Sequence, residues 1–207
     1  IGILFNFFYA ITDFFSIVLI AFGIIFFIIF FLKIKNKIHY IYFVVLLVFV
    51  STFFSFYSLL NDDFGYHFKT IVNFKKYTLF NIPHNFYGSH NSHWLFLHSL
   101  FYITSYPKSL YCITSLFYSV TIFDFFQSYK RNLLNNNHIA TSYSFFILFF
   151  LLGVLNYYKE YGTDFPGQIL ILFLFIVYFE QRKLFKKNQN LEIYFILILI
   201  SFFAFII

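Results

Sequence analysis

Methionine is absent from the 207 residues, cysteine and tryptophan occur once each, and charged residues make up only 11%. The single Cys112 excludes an intrachain disulfide and any metal cage built from this chain's cysteines, which leaves packing in an apolar segment as its role. So little charge, beside 61% apolar and 28% aromatic content, is more than a soluble domain can hide in one core, and a polytopic membrane protein is expected. A chain that opens at Ile1 without methionine and closes inside an apolar run at Ile207 reads as a piece of something longer. The whole of 1–207 is taken as one membrane domain.

What is present in excess is Phe (39) and Tyr (18), together with Ile, Asn and Lys. These are residues of AT-rich codons, so the aromatic surplus is first a matter of base composition and only second of stacking or cofactor binding. A spanning helix needs about 20 mostly apolar residues. Runs of that kind lie near 14–32, 40–60, 108–128, 139–157, 166–180 and 191–207, predicting an all-α bundle of six spans. The runs are too long for barrel strands, and helices satisfy every backbone group within lipid.

Lys and Arg are retained on the cytoplasmic side. Lys33, Lys35 and Lys37 in the first connection, Lys130 and Arg131 in the third, and Arg182, Lys183, Lys186 and Lys187 in the fifth place those connections inside. The second connection, about 61–107, and the fourth, about 158–165, then face outward with Asp62, Asp63, Glu160 and Asp164. The net charge of +6 needs no nucleic-acid partner, because most of the cations serve topology at an anionic leaflet. Asp13 and Asp124 lie close to predicted span ends, where they give no support to a transport pathway.

The long outer loop carries most of the chemistry-bearing residues. Phe64, Phe68, Ile71 and Val72 recur at helical spacing while Lys69, Asn73 and Lys76 fall opposite, which predicts a helix lying in the interface plane. Asp62 and Asp63 stand at its start. Capping alone accounts for them, since negative charge at a helix N-terminus is worth about 0.3–1 kcal/mol. The functional reading is a carboxylate at the water boundary acting as general base or binding a divalent cation. With a helix beginning at Asp63, His67 lies one turn on, where Asp63 orients it.

Five of the seven histidines, His67, His84, His90, His93 and His98, fall in this loop and just after it. They can bind water and head groups, hold a metal through His90 and His93, or donate to a phosphate leaving group, with Lys69, Lys75 and Lys76 as neutralising cations. Trp94 and nearby tyrosines fit an interface belt. In the fourth connection, Thr163 and Asp164 precede Pro166-Gly167 and read as caps for the next span. Asp164 shares a predicted face with Asp62 and Asp63, so folding can bring the carboxylates over one cavity.

The run NDDFGYHFKTIVNF, then NIPHNFYGSHNSHWLFLHSLF, then YGTDFPGQILIL resembles bacterial multi-span proteins related to the GT-C glycosyltransferases, the superfamily of dolichyl-phosphate-mannose protein mannosyltransferases and oligosaccharyltransferases. That resemblance implies a GT-C-like bundle in the bacterial inner membrane. It further implies a hexosyltransferase that takes its sugar from a polyprenyl-phosphate donor, without a nucleotide, and passes it to a glycan or lipid acceptor at the outer face. Asp62 or Asp63, with Asp63 favoured, takes the place of the catalytic acid. His67, His90, His93, Lys69, Asn91 and Trp94 are the candidates for binding donor phosphate or acceptor, and Asp164 for a divalent cation. The chain departs from the simplest members in having a span ahead of the one that leads into the acidic loop, and in lacking a soluble outer domain.

Three other readings compete. A transporter or lipid flippase predicts ionisable residues inside the spans. A histidine-box oxidase predicts more histidines and a bound metal. A non-catalytic scaffold predicts that the loop carboxylates do no chemistry.

Overall fold

The computed structural model describes residue 6 and residues 8–34, 37–56, 67–78, 81, 93–153 and 164–185. Thr12, in extended conformation, accepts the Phe15 N–H on its hydroxyl at 3.3 Å, so the first helix begins capped, with Asp13 favourably placed in its first turn. Helix α1, Asp13–Lys33, then runs through almost unbroken Ile, Leu and Phe. Lys33 sits in its last turn, where positive charge suits the helix dipole, and Ile34 turns extended. Lys37 lays its ammonium 5.5 Å from the Phe31 ring centre as the chain enters α2, Ile38–Phe56.

Both helices leave large side chains such as Phe22, Phe26, Phe30, Val45 and Phe49 exposed, and both are apolar all round. A helix of that kind belongs in hydrocarbon. Among the described residues, three helices are long and apolar enough to cross a membrane: α1, α2 and the stretch Pro107–Leu134. The last is a single 3-10 turn, Pro107–Leu110, running into α5, Tyr111–Leu134. The chain is thus an all-helical membrane protein, and among the described residues there is no strand beyond one bridge, Ile103 to Tyr106. The fourth and fifth predicted spans coincide with shorter apolar helices, and the sixth, 191–207, lies outside the described residues.

Two compact units are present. In the first, two short helices fill the second connection: α3, Phe68–Lys76, and α4, His93–Phe101. Ile71 and Phe74 of α3 are buried, in two clusters that also hold Ile11, Leu95, Phe96, Leu100, Tyr102 and Leu110. The last carbonyls of α3 find donors outside the helix, as free helix ends require. Ile11 N–H donates to Phe74 O at 3.2 Å, and the buried Asn6 amide reaches Phe74 O and Tyr77 O.

Asp13 fastens this assembly. Its carboxylate accepts the Thr104 N–H at 3.0 Å and the Thr104 hydroxyl, and lies 3.3 Å from Lys75 Nζ. Lys75 also donates to Ser16 Oγ at 2.5 Å and Thr12 O at 3.5 Å. The ammonium expected to be available to a phosphate is therefore spent at the start of α1, because its 6% exposed side chain would otherwise bury a charge without a counter-ion. Asp13, expected only as an acid near a span end, and Lys75, expected as a neutralising cation, together tie α1, α3 and the turn before Pro107 at one end of α1.

The second unit holds the rest of α5 with α6, His138–Gly153, and α7, Asp164–Phe185. Here α5 extends beyond the predicted limit at 128. Lys130 and Arg131, expected in a connection, are helical, and Asp124, expected near a span end, lies well inside the helix. The cause is a polar contact that the hydropathy pattern does not contain. Glu180 of α7 accepts from Arg131 Nη2 at 2.7 and 2.8 Å, from Asn132 Nδ2 at 2.7 Å and from Ser128 Oγ, giving these polar residues a partner within the bundle. The helix stops where Asn136 adopts a positive φ of 52°, a conformation that Asn tolerates at a helix end. Tyr143 of α6 donates to Leu172 O at 3.1 Å, and Phe125 packs on Phe173 at 5.0 Å between ring centres.

Removing Asp13 strands the Lys75 ammonium, and because the Asp13 carboxylate is itself 30% exposed the cost is about 1–2 kcal/mol, below that of a fully buried pair. Asp13→Asn should accordingly lower the melting temperature in detergent, and Lys75→Met added to it should recover part of the loss. Equal melting of the single and double variants would show that the pair does no such work.

Candidate functional site

The described part of the second connection, α3, α4 and the turn before Pro107, is held by apolar packing and by Asp13. On α3, Thr70, Ile71 and Phe74 are buried, Phe68 and Val72 are half-buried, and Lys69 and Lys76 are exposed. This is the two-faced arrangement expected from the spacing. The described α-helix begins at Phe68, with His67 already in right-handed helical conformation and only 5% exposed. A histidine so enclosed acts on its surroundings by position. The exposed cations on this helix are Lys69 and Lys76.

His98 has a defined place. Its Nδ1 lies 2.8 Å from Leu110 O, a carbonyl that can only accept, so Nδ1 carries the proton. Nε2 is then the acceptor for Thr114 Oγ1 at 3.3 Å. Burial pushes the imidazole down to about 4, with the hydrogen bond to the Leu110 carbonyl opposing the effect and the neighbouring His67 reinforcing it. His98 is therefore neutral at ordinary pH, a strut between α4 and the start of α5 that no phosphate meets. Burial likewise lowers the Lys75 ammonium below its usual value, opposed by Asp13. Ser109 Oγ accepts the Ile103 N–H at 2.8 Å, and Phe68 meets Tyr102 edge-on at 5.8 Å, fixing the turn that carries Thr104 over α3.

Asp62, Asp63, His90 and Asn91 lie outside the described residues, as does the expected helical start at Asp63. The helical backbone of His93 and Trp94 is described as the first turn of α4; their side chains are not. Asp164 is likewise described in its backbone alone, as the first residue of α7 rather than a residue preceding it. Among the described residues no three of His, Cys, Asp and Glu stand close enough to hold a metal ion together. The parts in view are thus a braced amphipathic helix, two outward lysines and a set of histidines of which two are buried. Such a platform can hold an anionic head group beside an apolar wall.

Sequence reasoning missed Asp13, Thr104 and Ser109 as the frame of this site. The only local signal was Thr12-Asp13, which also starts an ordinary helix. No family model, curated protein or solved structure matches this chain.

An imidazole whose folded value lies near 4 against an ordinary 6.5 takes up its proton less readily folded than unfolded. Stability is full above about pH 6.5, declines as pH falls through the window between these values, and is lower by on the order of 3 kcal/mol below about 4. His98→Gln, followed by melting in detergent across that range, should remove this component of the acid sensitivity.

Proposed function

We propose that the chain is the membrane part of a glycosyltransferase, six spans in this reading. It moves a sugar from a polyprenyl-phosphate donor to an acceptor hydroxyl at the outer face. The observation that carries the reading is the order of parts: the Asp62-Asp63 pair directly precedes the α3 segment, whose apolar side is buried and whose lysines Lys69 and Lys76 are exposed. The resemblance to GT-C proteins in the same residues supplies the chemistry.

In this mechanism a carboxylate, Asp63 with Asp62 beside it, takes the proton from the acceptor hydroxyl as its oxygen attacks the anomeric carbon. The bond from that carbon to the donor phosphate breaks, and the lipid phosphate leaves with the electron pair. In this reading Lys69 and Lys76 meet the developing negative charge, and Lys75, paired with Asp13, takes no part. His67 positions neighbouring groups from its buried site, and His90, His93, Asn91 and Trp94 bind donor phosphate or acceptor. Asp164 either holds a divalent cation or caps its helix. The site belongs to the outer side of a bacterial inner membrane.

The full-length protein in proteoliposomes, given a radiolabelled polyprenyl-phosphate sugar, should transfer label. Asp63→Asn should reduce the rate about 100-fold or more, the usual weight of a general base, without loss of inserted protein. Transfer at the wild-type rate by the Asp62→Asn/Asp63→Asn double variant would defeat the reading. In cells carrying Cys112→Ser, cysteines placed one at a time at positions 63 and 164 should both react with a membrane-impermeant thiol reagent; labelling at only one separates the two carboxylates by the bilayer.

A further inference from the structure

Helix α1 rises about 30 Å between Asp13 and Lys33, the thickness of a bilayer's hydrocarbon core. Its ends therefore reach opposite head-group layers. Asp13, with Thr104 and Lys75, occupies one of them. At the other end α1 turns into α2, and rings fasten the turn: Phe30 meets Tyr40 edge-on at 5.9 Å, and the Lys37 ammonium lies 5.5 Å from the Phe31 ring centre. Lys37 also opens α2, its carbonyl accepting the Tyr40 and Ile41 N–H groups at 3.1 and 3.0 Å. Lys33 stands in the last turn of α1. Both lysines are exposed, and neither has an ion pair among the described residues. The sequence places no Asp or Glu between Phe14 and Leu60. Lys35, between the two, lies outside the described residues.

The neighbours of these cations are apolar and exposed as well. Leu32, beside Lys33, is 66% exposed, and Ile38, beside Lys37, is 50% exposed. A soluble polyanion, such as a nucleic acid or an acidic peptide, would meet the ammonium groups and leave those side chains in water. A phospholipid meets both, with its phosphate at the lysines and its acyl chains along Leu32, Ile38 and the exposed Phe30. Head-group charge then decides the kind of lipid. In a zwitterionic head group the phosphate already has its own ammonium, whereas an anionic head group lacks one, and two lysines with no acid beside them supply it. We propose that the α1–α2 turn docks anionic phospholipid, of the phosphatidylglycerol kind, in the leaflet opposite Asp13. This surface shares no residue with the glycosyl-transfer reading and stands or falls apart from it.

The test is native mass spectrometry of the purified full chain in detergent, titrated with phosphatidylglycerol or with phosphatidylcholine of the same acyl chains. Variants are compared after gel filtration shows the wild-type elution position. Saturable retention of phosphatidylglycerol is expected at a concentration about tenfold below that of phosphatidylcholine. Lys33→Gln/Lys37→Gln should raise its half-saturating concentration about tenfold or more, since each lysine near an anionic surface contributes a factor of about five. Lys33→Arg/Lys37→Arg, which keeps both charges and a cation over Phe31, should bind as wild type. So should Lys108→Gln/Lys130→Gln, which removes the same charge from exposed positions elsewhere. The proposal is overturned by equal retention of the two lipids, by wild-type affinity in the Gln pair at 33 and 37, by loss of binding in the Arg pair, or by an equal loss in the Lys108 and Lys130 pair, which would make the effect one of total charge. Glycerol phosphate competing at the lipid's own concentration would also overturn it, by assigning the turn to a soluble phosphate ester.

Discussion

The carboxylate of Asp13 is the contact on which the first unit depends. Apolar packing gives a membrane helix little preference for one neighbour over another, because lipid tails are as apolar as Leu or Phe. Directed polar contacts supply the preference. Asp13 joins a residue 91 positions away, Thr104, to the start of α1, and adds Lys75 from α3. Once these three are joined, Ile11 can cap α3 through Phe74 O, and Ile71 and Phe74 have a wall to pack on.

The second unit uses the same device with a different acid. Glu180 gathers Ser128, Arg131 and Asn132, so polar residues that would otherwise end a hydrophobic run remain helical. Such clusters give modest net stability, since removing charge from water offsets much of the attraction, but an acid with several matched donors accepts few alternative arrangements. In both units the polar groups that build the frame are consumed by it. Lys76 on α3 and Asp124 on α5, by contrast, are exposed.

Much of this was legible along the chain. The first span, expected at 14–32, is α1, Asp13–Lys33, because uninterrupted apolar residues between a Thr cap and a terminal lysine admit one solution. The two faces of α3 followed from the spacing of Ile71 and Val72 against Lys69 and Lys76. Of the candidate site, the sequence showed which residue types cluster but not which are spent. Lys75 and Lys76 are neighbours of one type; one is enclosed by Asp13 and Ser16 and the other faces out. His98 resembled the other loop histidines until Leu110 O and Thr114 enclosed it.

The sequence by itself determined the class of protein and the main apolar helices, because hydrophobicity and helical period are properties of consecutive residues and water rejects them wherever they fold. Only the tertiary structure decided the partners of the charges. Asp13 and Asp124 were equally set aside as acids near span ends, yet one is neutralised by a lysine 62 positions on and the other faces a cavity beside a pair that is already satisfied. Partnership of that kind rests on distances between residues remote in the chain, and hydropathy, which adds up neighbours, carries no such distance.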